Sequence, residues 1–151
     1  MDKNFKGSVL THVKKLLDEK LVKFQNELRQ LQKSSNEETK SSMGDKYETG
    51  RAMVMQEQEK MADQIEQVQG QLRMLNAINL TKDFVEAQFG AMIITKLGVY
   101  FISISYGILE FKKQKVFMIS ANAPVAQAML GKSKGDEFIL NGRKIEIQKI
   151  V

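Results

Sequence analysis

Two amphipathic patterns run in mirror image from one polar stretch, and that symmetry leaves little choice of fold. Upstream of residues 34–48 (SSNEETKSSMGDKYE), apolar residues fall at Leu10, Val13, Leu17, Leu21, Phe24, Leu28 and Leu31, three and four apart. Downstream they fall at Val54, Met61, Ile65, Val68, Leu72 and Leu75 in the same rhythm. Such spacing is the seam of a coiled-coil contact. Pairing Leu31 with Val54, Phe24 with Met61, Leu17 with Val68, Val13 with Leu72 and Leu10 with Leu75 gives residue numbers that add to 85 each time, and Leu21 with Ile65 gives 86. A constant sum is the condition for an antiparallel pair, because a step back on one helix must match a step forward on the other. The chain is expected to reverse near residues 42 and 43, with residues 34–48 as the tip and residues 1–79 as a helical hairpin. Each arm of roughly 30 residues would reach about 45 Å, more than a small domain needs for its own core.

The first helix is expected from residue 5 to about 33, where long unbranched side chains favour helix. Gly7 and Ser8 are expected to make its first turn ragged. Ser34-Ser35-Asn36 should end it, since their side chains compete for main-chain hydrogen bonds. Gly44-Asp45 then offers a turn, with Asp45 as N-cap of a second helix running to about Ile78.

Beyond residue 80 the apolar period shifts from helix to strand. Ala91-Met92-Ile93-Ile94-Thr95 and Val99-Tyr100-Phe101-Ile102-Ser103-Ile104 are β-rich runs joined by Lys96-Leu97-Gly98, a hairpin signal. Val116-Phe117-Met118-Ile119 reads as a third strand after a basic connection, Phe111-Lys112-Lys113-Gln114-Lys115. Pro124 opens a short helix over residues 125–130, at the position where a missing N–H costs nothing, and Gly131 caps its end. Asn141-Gly142 is a strong hairpin turn between Phe138-Ile139-Leu140 and Lys144-Ile145-Glu146-Ile147. In that last strand Ile145 and Ile147 should face one way, Glu146 and Gln148 the other. Residues 80–151 therefore read as a compact α+β domain, a short helix on an antiparallel sheet.

With no cysteine among 151 residues, disulfides, thiol nucleophiles and zinc knuckles are excluded. The single histidine, His12, has no second His or Cys to complete a metal or triad set, and reads as a solvated helix residue. Charges interrupt every apolar run of the N-terminus, so it is not a signal peptide, and no run approaches a membrane span. A cytoplasmic protein without a membrane partner is expected. Of the net charge of +5, residues 1–33 carry +4, residues 34–50 −2, residues 51–79 −1 and residues 80–151 +4. An acidic tip on a basic chain would orient its approach to a charged partner.

The order of parts, and one segment above all, resembles the bacterial transcript-cleavage factors of the Gre family. Those proteins join an N-terminal coiled-coil hairpin to a C-terminal domain of FKBP-like fold. The segment Ala123-Pro124-Val125-Ala126-Gln127-Ala128-Met129-Leu130-Gly131-Lys132-Ser133-Lys134-Gly135-Asp136-Glu137-Phe138 is similar to the family's Ser-Pro, hydrophobic pair, Ala-Leu-Leu-Gly-Lys and Gly-Asp-Glu-Val. The closing Ile145-Glu146-Ile147 resembles its Tyr-Glu-Ile strand. Tyr47 and Ala52 resemble the family's Glu-Tyr-x-x-Ala element. The resemblance implies a factor that binds RNA polymerase, inserts the hairpin tip into the secondary channel, and meets nascent RNA or DNA only within that complex. It implies no intrinsic cofactor, only a Mg²⁺ shared with the polymerase, for which hard carboxylate oxygens are suited.

The sequence departs from the family at the tip. Counting back from Tyr47 puts Lys40 and Met43 where the family carries its essential acids. The remaining tip acids are Glu37, Glu38, Asp45 and Glu48, of which Glu37, Glu38 and Asp45 form the candidate Mg²⁺ set, opposed by Lys40 and Lys46. Partner contacts are expected at Met43, Tyr47, Pro124, Gly131, Gly135 and Asp136. Glu37 and Glu38 read equally as a solvated helix end, Asp45 as a cap, and Tyr47 as cover for the last seam layer. A scaffold or domain-swapped homo-oligomer satisfies the same pairing arithmetic. Prolyl isomerase activity has only the fold to suggest it, and nucleic-acid binding only the three lysines at 112, 113 and 115.

Overall fold

The computed structural model describes residues 1–39 and 44–151, with side chains described outside residues 35–49. Two long helices open the chain, α1 (Lys3–Thr39) and α2 (Gly44–Asn76), forming a helical hairpin. There follow β1 (Met92–Thr95), β2 (Gly98–Ser103), β3 (Gly107–Phe111), β4 (Gln114–Ser120), α3 (Pro124–Met129), β5 (Glu137–Leu140), β6 (Arg143–Glu146) and β7 (Lys149–Ile150). The fold is the expected α+β, a helical hairpin followed by a small sheet domain. Two compact units divide it: Lys14–Leu72, and Met1–Val13 together with Arg73–Val151.

In the helical unit the seam is where the spacing put it. Leu17, Met61 and Val68 are buried, and Leu21, Phe24, Leu28, Leu31, Val54, Ile65 and Leu72 are half-buried. Val22, Met53 and Met55, apolar but off the seam, are exposed. Gln58 is half-buried at the position skipped between Val54 and Met61, so one polar residue sits in the stripe. The ends differ from expectation. α1 passes through Ser34-Ser35-Asn36 to Thr39, because extending an existing helix is favourable and each poor helix former costs only a few tenths of a kcal/mol. α2 begins at Gly44, which places Asp45 inside the helix rather than at its N-cap. The expected reversal near residues 42 and 43 lies outside the described residues, between Thr39 and Gly44.

In the sheet unit five strands lie in the order β3-β4-β2-β1-β7, and β5-β6 form a separate hairpin. The sheet is mixed rather than antiparallel throughout: β2 and β4 run parallel, Val99 beside Val116 and Ser103 beside Ser120. The expected basic connection at residues 111–115 is instead a β-hairpin. Phe111 pairs with Gln114, and Lys112 and Lys113 form the two-residue turn with φ of 48° and 63°. Asn141 and Gly142 make the expected turn with φ of 51° and 76°. Thr95 Oγ1 closes the β1-β2 turn by donating to Gly98 O at 3.0 Å while accepting from Leu97 N.

Both sheet faces are covered. On one, Ile93, Tyr100 and Ile102 pack with Ala126 and Met129 of α3 and with Phe138, Ile145 and Ile147. Ile145 and Ile147 are buried while Glu146 and Gln148 are exposed, as the alternation predicts. On the other face lie Met92, Phe101 and Met118, all buried, and the first turns of α1 meet that face at Phe101 and Phe111. There Lys6 reaches Phe101, and Phe5 and His12 meet the Phe111 ring at 5.8 and 5.2 Å. His12 is thus half-buried, one side of its ring on Phe111. Those first turns are regular despite Gly7 and Ser8. Asp2 Oδ1 accepts from Phe5 N at 2.9 Å as a helix cap, and Ser8 Oγ donates to Asn4 O.

Candidate functional site

The tip candidates fall outside what the structure describes. Glu37 and Glu38 lie on the last turn of α1, and Asp45, Tyr47 and Glu48 on the first turns of α2. Their side chains, and Met43 altogether, lie outside the described residues. The candidate Mg²⁺ set therefore has no geometry here. Among the described residues no three His, Cys, Asp or Glu come together to hold a metal.

The second set of candidates brackets α3. Pro124 is exposed at the first position of this helix, following Ala123 in extended conformation. Gly131, Gly135 and Asp136 share the loop beyond its other end, a loop tied down at three points. Gly131 N donates to Ala87 O at 2.9 Å, and Ala87 N donates to Lys132 O at 2.8 Å. Gly135 N donates to Ile147 O, and Ile147 N to Asp136 O, both at 2.8 Å. Asp136 Oδ2 accepts from Ser133 N at 2.7 Å. Gly131 and Gly135 have φ of 78° and 90°, left-handed values at which a side chain is strained. These three residues thus have a structural duty, shaping the connection from α3 to β5, while their surfaces stay exposed.

Next to that loop an open pocket of about 330 Å³ lies between the β5-β6 hairpin and the β1-β2 turn. Its walls carry Lys96, Arg143 and Lys144 with Glu137 and Glu146, over Leu97 and Ile145. Glu137 and Glu146 are direct cross-strand partners, an arrangement of like charges that costs stability. No ion pair joins these five charges among the described residues. The polar groups of the lining are two amines, a guanidinium and two carboxylates, a set suited to recognising charge.

One group escaped the sequence reading. Lys6 is 1% exposed. Its Nζ donates to Val151 O at 2.9 Å and stands 4.0 Å from the centre of the Phe84 ring. Burial, with Lys3 nearby as a second positive charge, pulls its amine down to about 8. The signal was in the spacing: the seam rhythm carried back from Val13 and Leu10 lands on residue 6. Lys3 beside it bridges to Asp83, whose carboxyl is held below its ordinary value by that hydrogen bond.

Comparison with protein-family models, with curated proteins and with solved structures yields no match to this chain.

Proposed function

We propose that this chain is a Gre-like transcription elongation factor, which binds RNA polymerase and reaches into its secondary channel with the hairpin tip. One observation carries the reading: a two-helix hairpin, far longer than its own packing requires, precedes a small α+β domain whose Pro124-to-Phe138 segment resembles that family. Lys40 and Met43, standing where the family has acids, favour a factor that modulates elongation by occupancy. Cleavage of backtracked RNA would fall to Glu37, Glu38 and Asp45 with a Mg²⁺ shared with the polymerase; that metal would activate water and stabilise the leaving oxygen. The chain would act in the cytoplasm; among the described residues no helix is long and apolar enough to cross a membrane.

The test is co-purification with the cognate RNA polymerase, followed by a cleavage assay on a backtracked complex with Mg²⁺. The wild type would run beside Glu37→Ala/Glu38→Ala and Asp45→Ala. Binding without cleavage in all forms makes the protein a non-cleaving channel regulator. Cleavage in the wild type that a variant loses assigns the acids as ligands. No binding overturns the polymerase reading and leaves a coiled-coil scaffold.

A further inference from the structure

We propose that the free edge of β3 is a docking strand, to which a partner protein adds an extended segment of alternating apolar and acidic residues. This inference goes beyond the polymerase reading and does not rest on it.

β3 is the outermost strand at one end of the five-stranded sheet. Its register with β4 fixes which main-chain groups are free. The two-residue turn at Lys112 and Lys113 makes Phe111–Gln114 a hydrogen-bonded pair, and so, two residues at a time, are Leu109–Val116 and Gly107–Met118. Ile108 and Glu110 are then the non-bonded positions, with N–H and C=O pointing away from the sheet. Neither amide donates to main chain elsewhere among the described residues. Gly107, Ile108 and Glu110 are all exposed, so nothing described covers this edge.

The side chains supply a second, independent observation. Cross-strand partners place Ile150, Ile93, Tyr100, Phe117 and Ile108 in one apolar row across the sheet. Ile93 is fully buried and Tyr100 5% exposed. Phe117 is half-buried, its ring stacked on Tyr100 at 5.0 Å. Ile108, at the end of the row, is 61% exposed. Natural edges are blunted by charge, proline or a bulge; of the two positions whose main chain points outward here, Glu110 carries a charge but Ile108 is a bare isoleucine. A strand added at this edge would continue the row with its own apolar residue.

Charge selects the partner. Lys112, Lys113 and Lys115 are exposed at the turn, with Glu110 the one acid of the hairpin, and none of these lysines has an ion pair among the described residues. A parallel second copy of β3 would lay lysine on lysine. An antiparallel copy centred on Ile108 would set Ile104 opposite Lys112 and its own Glu110 opposite Tyr106, away from the lysines. An acidic extended segment answers both features, its main chain supplying affinity and its alternate side chains specificity.

Amide exchange of the isotopically labelled full chain tests this. The probe is a blocked hexapeptide alternating valine with glutamate, and its control alternates valine with lysine. With the acidic peptide at about ten times its Kd, exchange at Ile108 and Glu110 should slow about tenfold. Leu109, already bonded to Val116, should not change, and the lysine peptide should have no effect. Lys112→Glu/Lys113→Glu should reverse the preference, and Ile108→Lys should abolish protection. Three results would each overturn the proposal: no protection at millimolar peptide, equal protection by both peptides, or protection that rises with protein concentration alone, which would give the edge to a second copy.

Discussion

Lys6 is a charged group kept where a charge is unwelcome. Its single acceptor and the Phe84 face do not replace the water lost by an ammonium ion, so the folded chain holds its proton less tightly than the unfolded one. The ordinary value of 10.5 applies in the unfolded chain and about 8 in the folded. Between those values the unfolded state binds more protons, so this residue makes stability rise with pH across that window, while below about 8 its penalty is constant. Lys6→Met should raise stability at neutral pH by about 1–2 kcal/mol, since Val151 O keeps Met92 N as a donor at 2.8 Å when the amine is gone. It should also flatten the pH dependence between 8 and 10.5; urea unfolding at several pH values checks both. A second strained place is the Lys112-Lys113 turn, where two β-carbons occupy the left-handed region. Lys112→Asn/Lys113→Gly should stabilise by about 1–2 kcal/mol, read as a shift in the urea midpoint without change of slope.

At the scale of elements, the helical seam and the strand pairings make different demands. The seam is a stripe, so position along it decides everything. Leu17→Ala removes a buried layer and should cost about 2–5 kcal/mol, whereas Val22→Ala, on the exposed side of the same helix, should stay within about 0.5 kcal/mol. Thermal melts followed by circular dichroism separate the two. The strands are governed by close approach. At Gly98, with φ of 150°, a β-carbon would stand 2.7 Å from Cε2 of Phe117. Gly98→Ala must displace that ring from its stack on Tyr100, and a cost of about 1–3 kcal/mol is expected, seen as loss of ring-current shifts and a lower urea midpoint.

For the whole molecule, the division into units has a consequence for how the chain can be cut. The first turns of α1 belong to the same unit as the sheet and touch it at Phe101 and Phe111, although they are distant from it in sequence. A fragment of residues 80–151 should keep strand content but bind a hydrophobic dye and lose near-ultraviolet dichroism, because one face of its sheet would be bare. The full chain should do neither.

The sequence determined what depends on periodicity and local chemistry. The three-and-four spacing required two helices, the constant sum made them antiparallel, and Pro124 and Asn141-Gly142 marked α3 and the β5-β6 turn. Those signals are local, or depend on residue numbers alone. What lay beyond it depends on long-range packing. A Lys-Lys pair carries no turn signal, so residues 111–115 read as a connection until the pairing of β3 with β4 was visible, and β4 slips between β3 and β2 in parallel with a strand it does not follow in sequence. Lys6 reads as one more surface lysine until a sheet face closes over it. Burial is a property of what else arrives at a place in space, and only the tertiary structure decides that.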